Sequence, residues 1–265
     1  MVKAENIPSG APCWADLMTS GAEGAKAFYR DLFGWSAQGA VEKFGGYTNL
    51  ELGGALVGGL MPKQPESGPV PDGWSIYLAT ADADKTVAAA AEHGGGVIVP
   101  PMAVDELGVM AVVTDPTGAA IGMWQPGTHA GFGVLAEPGA PGWFELFTRD
   151  FTAAVDFYRE VFDWDVHIVS DTPEFRYATY GEGESVRAGI MDASAFLPEG
   201  VPAHWSVYFG AADTDATLAR AAELGGTVLQ PGEDTPYGRI GIAADLTGAV
   251  FKLVGPNKAE APQAG

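Results

Sequence analysis

The chain is poor in several things, and each shortage excludes something. Its single cysteine, Cys13, allows no internal disulfide and no thiolate zinc cluster, and a reducing cytoplasm is the simplest compartment for it. Basic side chains number 14 against 34 acidic ones, a formal charge of -20 over 265 residues. A surface of that sign repels phosphodiester backbones and anionic headgroups, so no nucleic acid and no membrane partner is expected. No apolar run reaches the ~20 residues that cross a bilayer. The polar stretch Met1 to Pro12 lacks the apolar core of a secretory leader. Also missing are the GxSxG elbow, the GxxxxGK[ST] phosphate loop, a GxGxxG between strand and helix, and HExxH. What is present suffices for real cores: 47% of residues are hydrophobic and 11% aromatic. The length suits two domains of about 130 residues.

A repeat organises the chain. Residues 14–35, WADLMTSGAEGAKAFYRDLFGW, align with residues 143–164, WFELFTRDFTAAVDFYREVFDW, at an offset of 129. WSIYLATADAD from Trp74 matches WSVYFGAADTD from Trp205 at an offset of 131, and VTDPTGAAIGMW matches AADLTGAVFKLV at 130. Offsets within one residue of 130 across three separated segments mark a duplicated domain. The boundaries read as a first domain over 1–128, a linker over 129–142, a second domain over 143–256, and a disordered tail over 257–265.

Each copy shows the same elements twice. The alternation Trp14-Ala15-Asp16-Leu17-Met18 predicts a strand. Ala22, Ala25, Phe28, Tyr29 and Leu32 then keep one helical face apolar, with Gly34 at the helix end. Strands follow around Tyr47–Leu52 and Ala55–Met61, where Gly53-Gly54 and Gly58-Gly59 suggest bulges or a ligand's close approach. Trp74–Ala79 opens the second half, and Asp82 caps a helix to Glu92. Strands Val97–Val99, Val109–Val113 and Ala119–Trp124 end the copy. Helices near Thr152–Phe162 and Thr214–Leu224 repeat the pattern. The sum is an α+β protein with four β-α-β-β-β modules, whose sheets leave one face free to curl around a small molecule.

The strand and FY helix opening each copy, the helix start at Asp82 and Asp213, and the DPTG and DLTG turns resemble the vicinal oxygen chelate superfamily. That superfamily comprises glyoxalase, bleomycin-resistance and dioxygenase proteins. The likeness runs from Pro12 to Val254 and is nearest to tandem two-domain members. It implies two domains, each a pair of βαβββ modules forming a curved mixed sheet around a cleft. Metal-dependent members carry His, Gln or Glu at four strand positions. Three of those fall here on Trp14 and Trp143, on Ser75 and Ser206, and on Gly122 and Lys252; at the fourth, before Pro62 or around Ile190, no His or Glu stands out. Such groups are poor ligands for a divalent ion, so no metal and no other cofactor is expected.

Strand parity then supplies candidate ligand-binding residues. Trp14, Asp16, Met18, Ser75, Tyr77 and Trp124 share a face in the first copy. Trp143, Glu145, Phe147, His204, Ser206, Tyr208 and Lys252 share one in the second. Both clefts are expected to be aromatic with one carboxylate each. Glu145 is the candidate general base, since Trp143 and Phe147 would desolvate it. The blander alternatives stay open: Trp14 and Trp143 as plugs, Asp16 and Glu145 as solvated or Arg-paired acids, His204 as a strand start, Lys252 paired with an acid. Trp74 and Trp205 take the opposite parity and, with Trp35 and Trp164, read as core.

The reading is metal-independent binding of an apolar, planar aromatic molecule, leaning away from catalysis. The resemblance implies sequestration or self-resistance, or an accessory role beside a biosynthetic tailoring oxygenase. The alternative is an enzyme of the same fold, cofactor-independent or metal-dependent: a hydroxylase, isomerase or glyoxalase-type lyase. Two copies in one chain allow a monomer as well as a homodimer.

Overall fold

The computed structural model describes residues 7–65, 68 and 70–258. The first half of the expected leader-free N-terminus and most of the expected tail therefore lie outside the described residues. The first copy runs β1 (Pro12–Thr19), α1 (Ala22–Phe33), β2 (Ser36–Ala37), β3 (Thr48–Leu52) and β4 (Ala55–Pro62). It continues with β5 (Gly73–Ala79), α2 (Ala83–Glu92), β6 (Gly96–Val104), β7 (Gly108–Thr114) and β8 (Ala120–Pro126). The second repeats this order with β9 (Pro141–Thr148), α3 (Phe151–Phe162), β10 (Val166–Asp171), β11 (Arg176–Tyr180) and β12 (Ala188–Asp192). Its second module is β13 (His204–Gly210), α4 (Thr214–Glu223), β14 (Thr227–Thr235), β15 (Gly238–Ala244) and β16 (Val250–Gly255).

Local chemistry sets the boundaries. Asp82, Asp150 and Asp213 each accept a backbone N–H from the first turn of α2, α3 and α4. Gly34 ends α1 at φ +76°, returning its N–H to the Arg30 carbonyl. Gly53 and Gly54, at φ +58° and +85°, form the tight turn joining β3 to β4, so this pair is a hairpin turn and not a bulge.

Each copy makes one eight-stranded mixed sheet, ordered β2-β3-β4-β1-β5-β8-β7-β6 and β10-β11-β12-β9-β13-β16-β15-β14. Both modules of a copy thus share a sheet, joined by the antiparallel pairs β1–β5 and β9–β13. The first helix of each copy, α1 or α3, reaches the other copy, while α2 and α4 lie on strands of their own sheet. Phe28 and Phe33 of α1 meet Phe251 and Phe209 of the second copy. Trp74 donates its indole N–H to the Tyr29 hydroxyl (3.1 Å), and Trp205 donates to Tyr158 (2.8 Å). Trp35 and Trp164 reach the carbonyls of Gly139 and Gly10. Trp35, Trp164 and Trp205 are core, and Trp74 packs half-buried against it.

Among the described residues no α-helix packs on the other face of each sheet, yet several of its side chains are buried, because the sheet curls. Tyr177 on β11 and Tyr237 in the β14–β15 turn come from opposite ends of the second sheet, but their rings are 6.5 Å apart. In the first copy an ion pair between Lys43 and Asp105 spans the same gap. The linker packs against the first copy: Phe132 donates its N–H to Cys13 O, and Gly133 to Leu56 O. The second copy's first strand begins at Pro141, two residues before the expected boundary.

Candidate functional site

The floor of the second cleft is built from three adjacent strands. Glu145 on β9 stands beside Ser206 of β13 and Gly189 of β12, while Trp143 faces Tyr208 and Phe147 faces His204. Parallel pairing of β13 with β16 sets Lys252 beside Tyr208. Every candidate named for this copy therefore comes together on the helix-free face.

Their contacts form one connected network. Glu145 is only 5% exposed, and both its oxygens are occupied: Tyr177 donates to Oε1 at 2.8 Å and Tyr208 to Oε2. Lys252 Nζ donates to the Tyr208 hydroxyl at 3.1 Å and lies 3.5 Å from the Phe147 ring centroid. The Trp143 indole hydrogen-bonds Tyr177. His204 stacks on Phe147 with centroids 5.6 Å apart, and its Nδ1 meets the Pro202 carbonyl. Burial, reinforced by the Glu145 charge, pushes the Tyr177 and Tyr208 phenols well above the usual range. Burial lowers the Lys252 ammonium to about 8 despite the opposing pull of Glu145.

The first cleft repeats this plan with differences. Asp16 lies between Ser75 of β5 and Gly59 of β4, and the Tyr77 and Tyr47 hydroxyls hydrogen-bond it. Trp14 donates to Tyr47 at 2.7 Å. Asp16 keeps some solvent contact, yet desolvation pushes its carboxyl up to about 7 against those two phenols. Beside Tyr77 stands Gly122 where the second copy has Lys252. A Cβ at Gly122 would collide with the Tyr77 ring.

The two indoles also part ways. Trp14 is 5% exposed, wedged between His129 (4.5 Å) and Phe132 (5.6 Å) of the linker, with Trp124 donating to the His129 carbonyl. Trp143 is only half-buried. Met18, at the other end of the first cleft, is half-buried beside Gly73.

Two tyrosines essential to this arrangement escaped the reading of parity because Tyr47 precedes β3 and Tyr177 lies on β11, both away from the cleft-forming pair of strands. The signal was there: Tyr47/Tyr177 and Gly59/Gly189 both recur at the repeat offset of 130. The glycines explain the tyrosines. A Cβ on Gly59 or Gly189 would strike the phenol oxygen that reaches the carboxylate.

The model of the Glyoxalase/Bleomycin resistance protein/Dioxygenase superfamily matches residues 14–123 and 140–253, and the chain belongs to that superfamily. It is 35% identical to "Putative glyoxylase CFP32" of Mycobacterium tuberculosis over 97% of this chain and 98% of that one. It is 36% identical to "Anthracycline biosynthesis protein DnrV" of Streptomyces peucetius, over 92% of this chain and 93% of that one. The fold is similar to the crystal structure of a Mn(II)-bound glyoxalase from Novosphingobium aromaticivorans. The TM-score is 0.64 at 14% identity, covering 94% of this chain and 83% of that one.

A divalent ion of the kind that glyoxalase holds does not suit the groups found here. Each cleft offers one carboxylate surrounded by phenols, serine and glycine, and the second adds an ammonium. Among the described residues, no three His, Cys, Asp or Glu side chains converge. Such a donor set lacks the imidazole and carboxylate density that first-row metals require.

Proposed function

We propose that this protein binds an apolar, planar aromatic small molecule in its second cleft, without a metal, and serves a natural-product pathway in the cytoplasm. It would hold the molecule for sequestration or self-resistance, or present it to a tailoring oxygenase. The observation that carries this reading is the second cleft itself. Rings of Trp143, Phe147, Tyr177, His204 and Tyr208 surround one oriented polar cluster. Ring faces supply stacking area, and a few fixed polar groups set orientation. The name of DnrV, a relative matched over nearly its whole length, supports the pathway. The test is calorimetric titration with an anthracycline and simpler polycyclic compounds, followed by recovery of the ligand. Saturable binding, unchanged recovered ligand, and at least about tenfold weaker binding in Trp143→Ala are expected. Absence of binding sinks the reading.

One observation favours catalysis instead. Tyr208 links Lys252 to Glu145, so a proton can pass between an amine poised near pH 8 and a buried carboxylate. In that case Glu145→Gln abolishes product formation while affinity persists.

A further inference from the structure

Lys252 is the most unusual residue in the protein. It is 8% exposed, and among the described residues its ammonium makes no ion pair; its contacts are one phenol oxygen and two ring faces. Lysines are almost never buried in this way without an acid, because desolvating the charge is costly. Glu145 is near enough to act through space, but both its oxygens are engaged by tyrosines.

The fold does not require this lysine. The first copy builds the same floor from Asp16, Tyr47 and Tyr77 with Gly122 at the corresponding place, and Tyr77 covers the gap. A duplicated site that is complete without a cation in one copy and contains a buried, unpaired one in the other points to something the second cleft binds.

We infer that the ligand of the second cleft is an aromatic molecule carrying an anionic oxygen, a carboxylate or an acidic enol or phenol, which pairs with the Lys252 ammonium. This rests on the reading of that cleft as an aromatic-binding site and adds the charge of its occupant. An anionic oxygen completes the hydrogen-bonding of Nζ, and the low dielectric of the cleft strengthens a charge-assisted bond. The titratable groups facing Lys252 are Glu145 from β9 and Tyr208 from β13, with Tyr177 behind the carboxylate and His204 stacked on the Phe147 ring that the ammonium also meets. Glu145 is the one like charge the ligand meets. Tyr208 stands between it and Nζ, which keeps the anion on the lysine side. The first cleft, with a carboxyl and no cation, makes no such demand.

The test compares 2-naphthoate with its neutral near-isostere 2-naphthamide by calorimetry, in the wild-type protein and in Lys252→Met and Lys252→Gln. At pH 7 the naphthoate should bind about tenfold tighter than the amide. That preference should vanish in both variants while amide binding persists, and it should fade in the wild type as pH rises past about 8. Equal affinities in the wild type, or a preference that survives in the variants, would overturn the inference while leaving the aromatic site intact. If neither compound binds the wild type, the aromatic-site reading and this inference both fail.

Discussion

The Tyr29 hydroxyl donates to Asp245 Oδ2 at 3.2 Å, joining residues 216 positions apart. Tyr158 does the same to Asp115, also at 3.2 Å, across 43 positions. Each tyrosine belongs to the FY pair of one copy and each aspartate to the turn of the other. The aspartate's second oxygen gathers its own turn, accepting from Thr247 and Ala249 in one case and from Thr117 and Ala119 in the other. The motifs that mark the repeat are therefore also the clasps that bind its halves together.

Removing one clasp should be felt by the whole molecule. In Tyr158→Phe the buried Trp205 N–H loses its acceptor and Asp115 loses a donor. Leaving buried polar groups unmet costs about 1–3 kcal/mol. Urea unfolding should show that loss, with a single cooperative transition in the wild type. An unchanged midpoint would show that water replaces the phenol without penalty.

How much of this was legible beforehand varied with the kind of information each feature needs. Helix starts at Asp82 and Asp213 were readable because capping is local. The core role of Trp205 followed from strand alternation, which is likewise local. That α1 packs against the sheet of the second copy was not readable, since Phe28 and Phe251 are equally apolar towards any partner. The clasp by Tyr47 and Tyr177 depends on curl, which brings residues of non-neighbouring strands together and leaves no trace in periodicity. Only the repeat offset, with glycine recurring at 59 and 189, hinted that space was being kept for something.

That space is testable. A Cβ at Gly189 would meet the Tyr177 hydroxyl and come within 3.1 Å of the Trp143 ring. Gly189→Ala should therefore push Tyr177 off Glu145, destabilising the protein by about 1–3 kcal/mol as overpacking does. Tyrosine absorbance titration should show one phenol ionising nearer the ordinary range. A variant as stable as the parent, with unaltered tyrosine titration, would mean the strand shifts to make room.

Lys252 should cost the apo protein stability. Burial holds its pKa near 8, below the ordinary 10.5, so the folded chain loses this proton before the unfolded chain does. The penalty is then complete below about pH 8 and shrinks as pH rises towards 10.5. Lys252→Met should stabilise the protein at pH 7 by ~1–4 kcal/mol, as replacement of buried charge often does. The gap between variant and parent should narrow above pH 8. A variant less stable than the parent at pH 7 would show that the bond to Tyr208 outweighs desolvation.

Asp16 should give the opposite slope in the other cleft. Its carboxyl is raised from 3.8 to about 7, first by burial, with Tyr77 and Tyr47 only partly offsetting it. Between those values the folded chain holds a proton that the unfolded chain has released. The resulting stabilisation is full below about pH 4 and is lost as pH rises through 7. Each pKa unit is worth about 1.4 kcal/mol at most, less for the solvent Asp16 still touches. Asp16→Asn keeps the shape without the titration, so the difference between parent and variant isolates this group from the other 33 acids. Urea midpoints at pH 4.5 and 7.5 should show the parent losing ground to the variant as pH rises. A difference that stays flat would mean Asp16 ionises as an exposed carboxylate does, with enough water in the first cleft to solvate the charge.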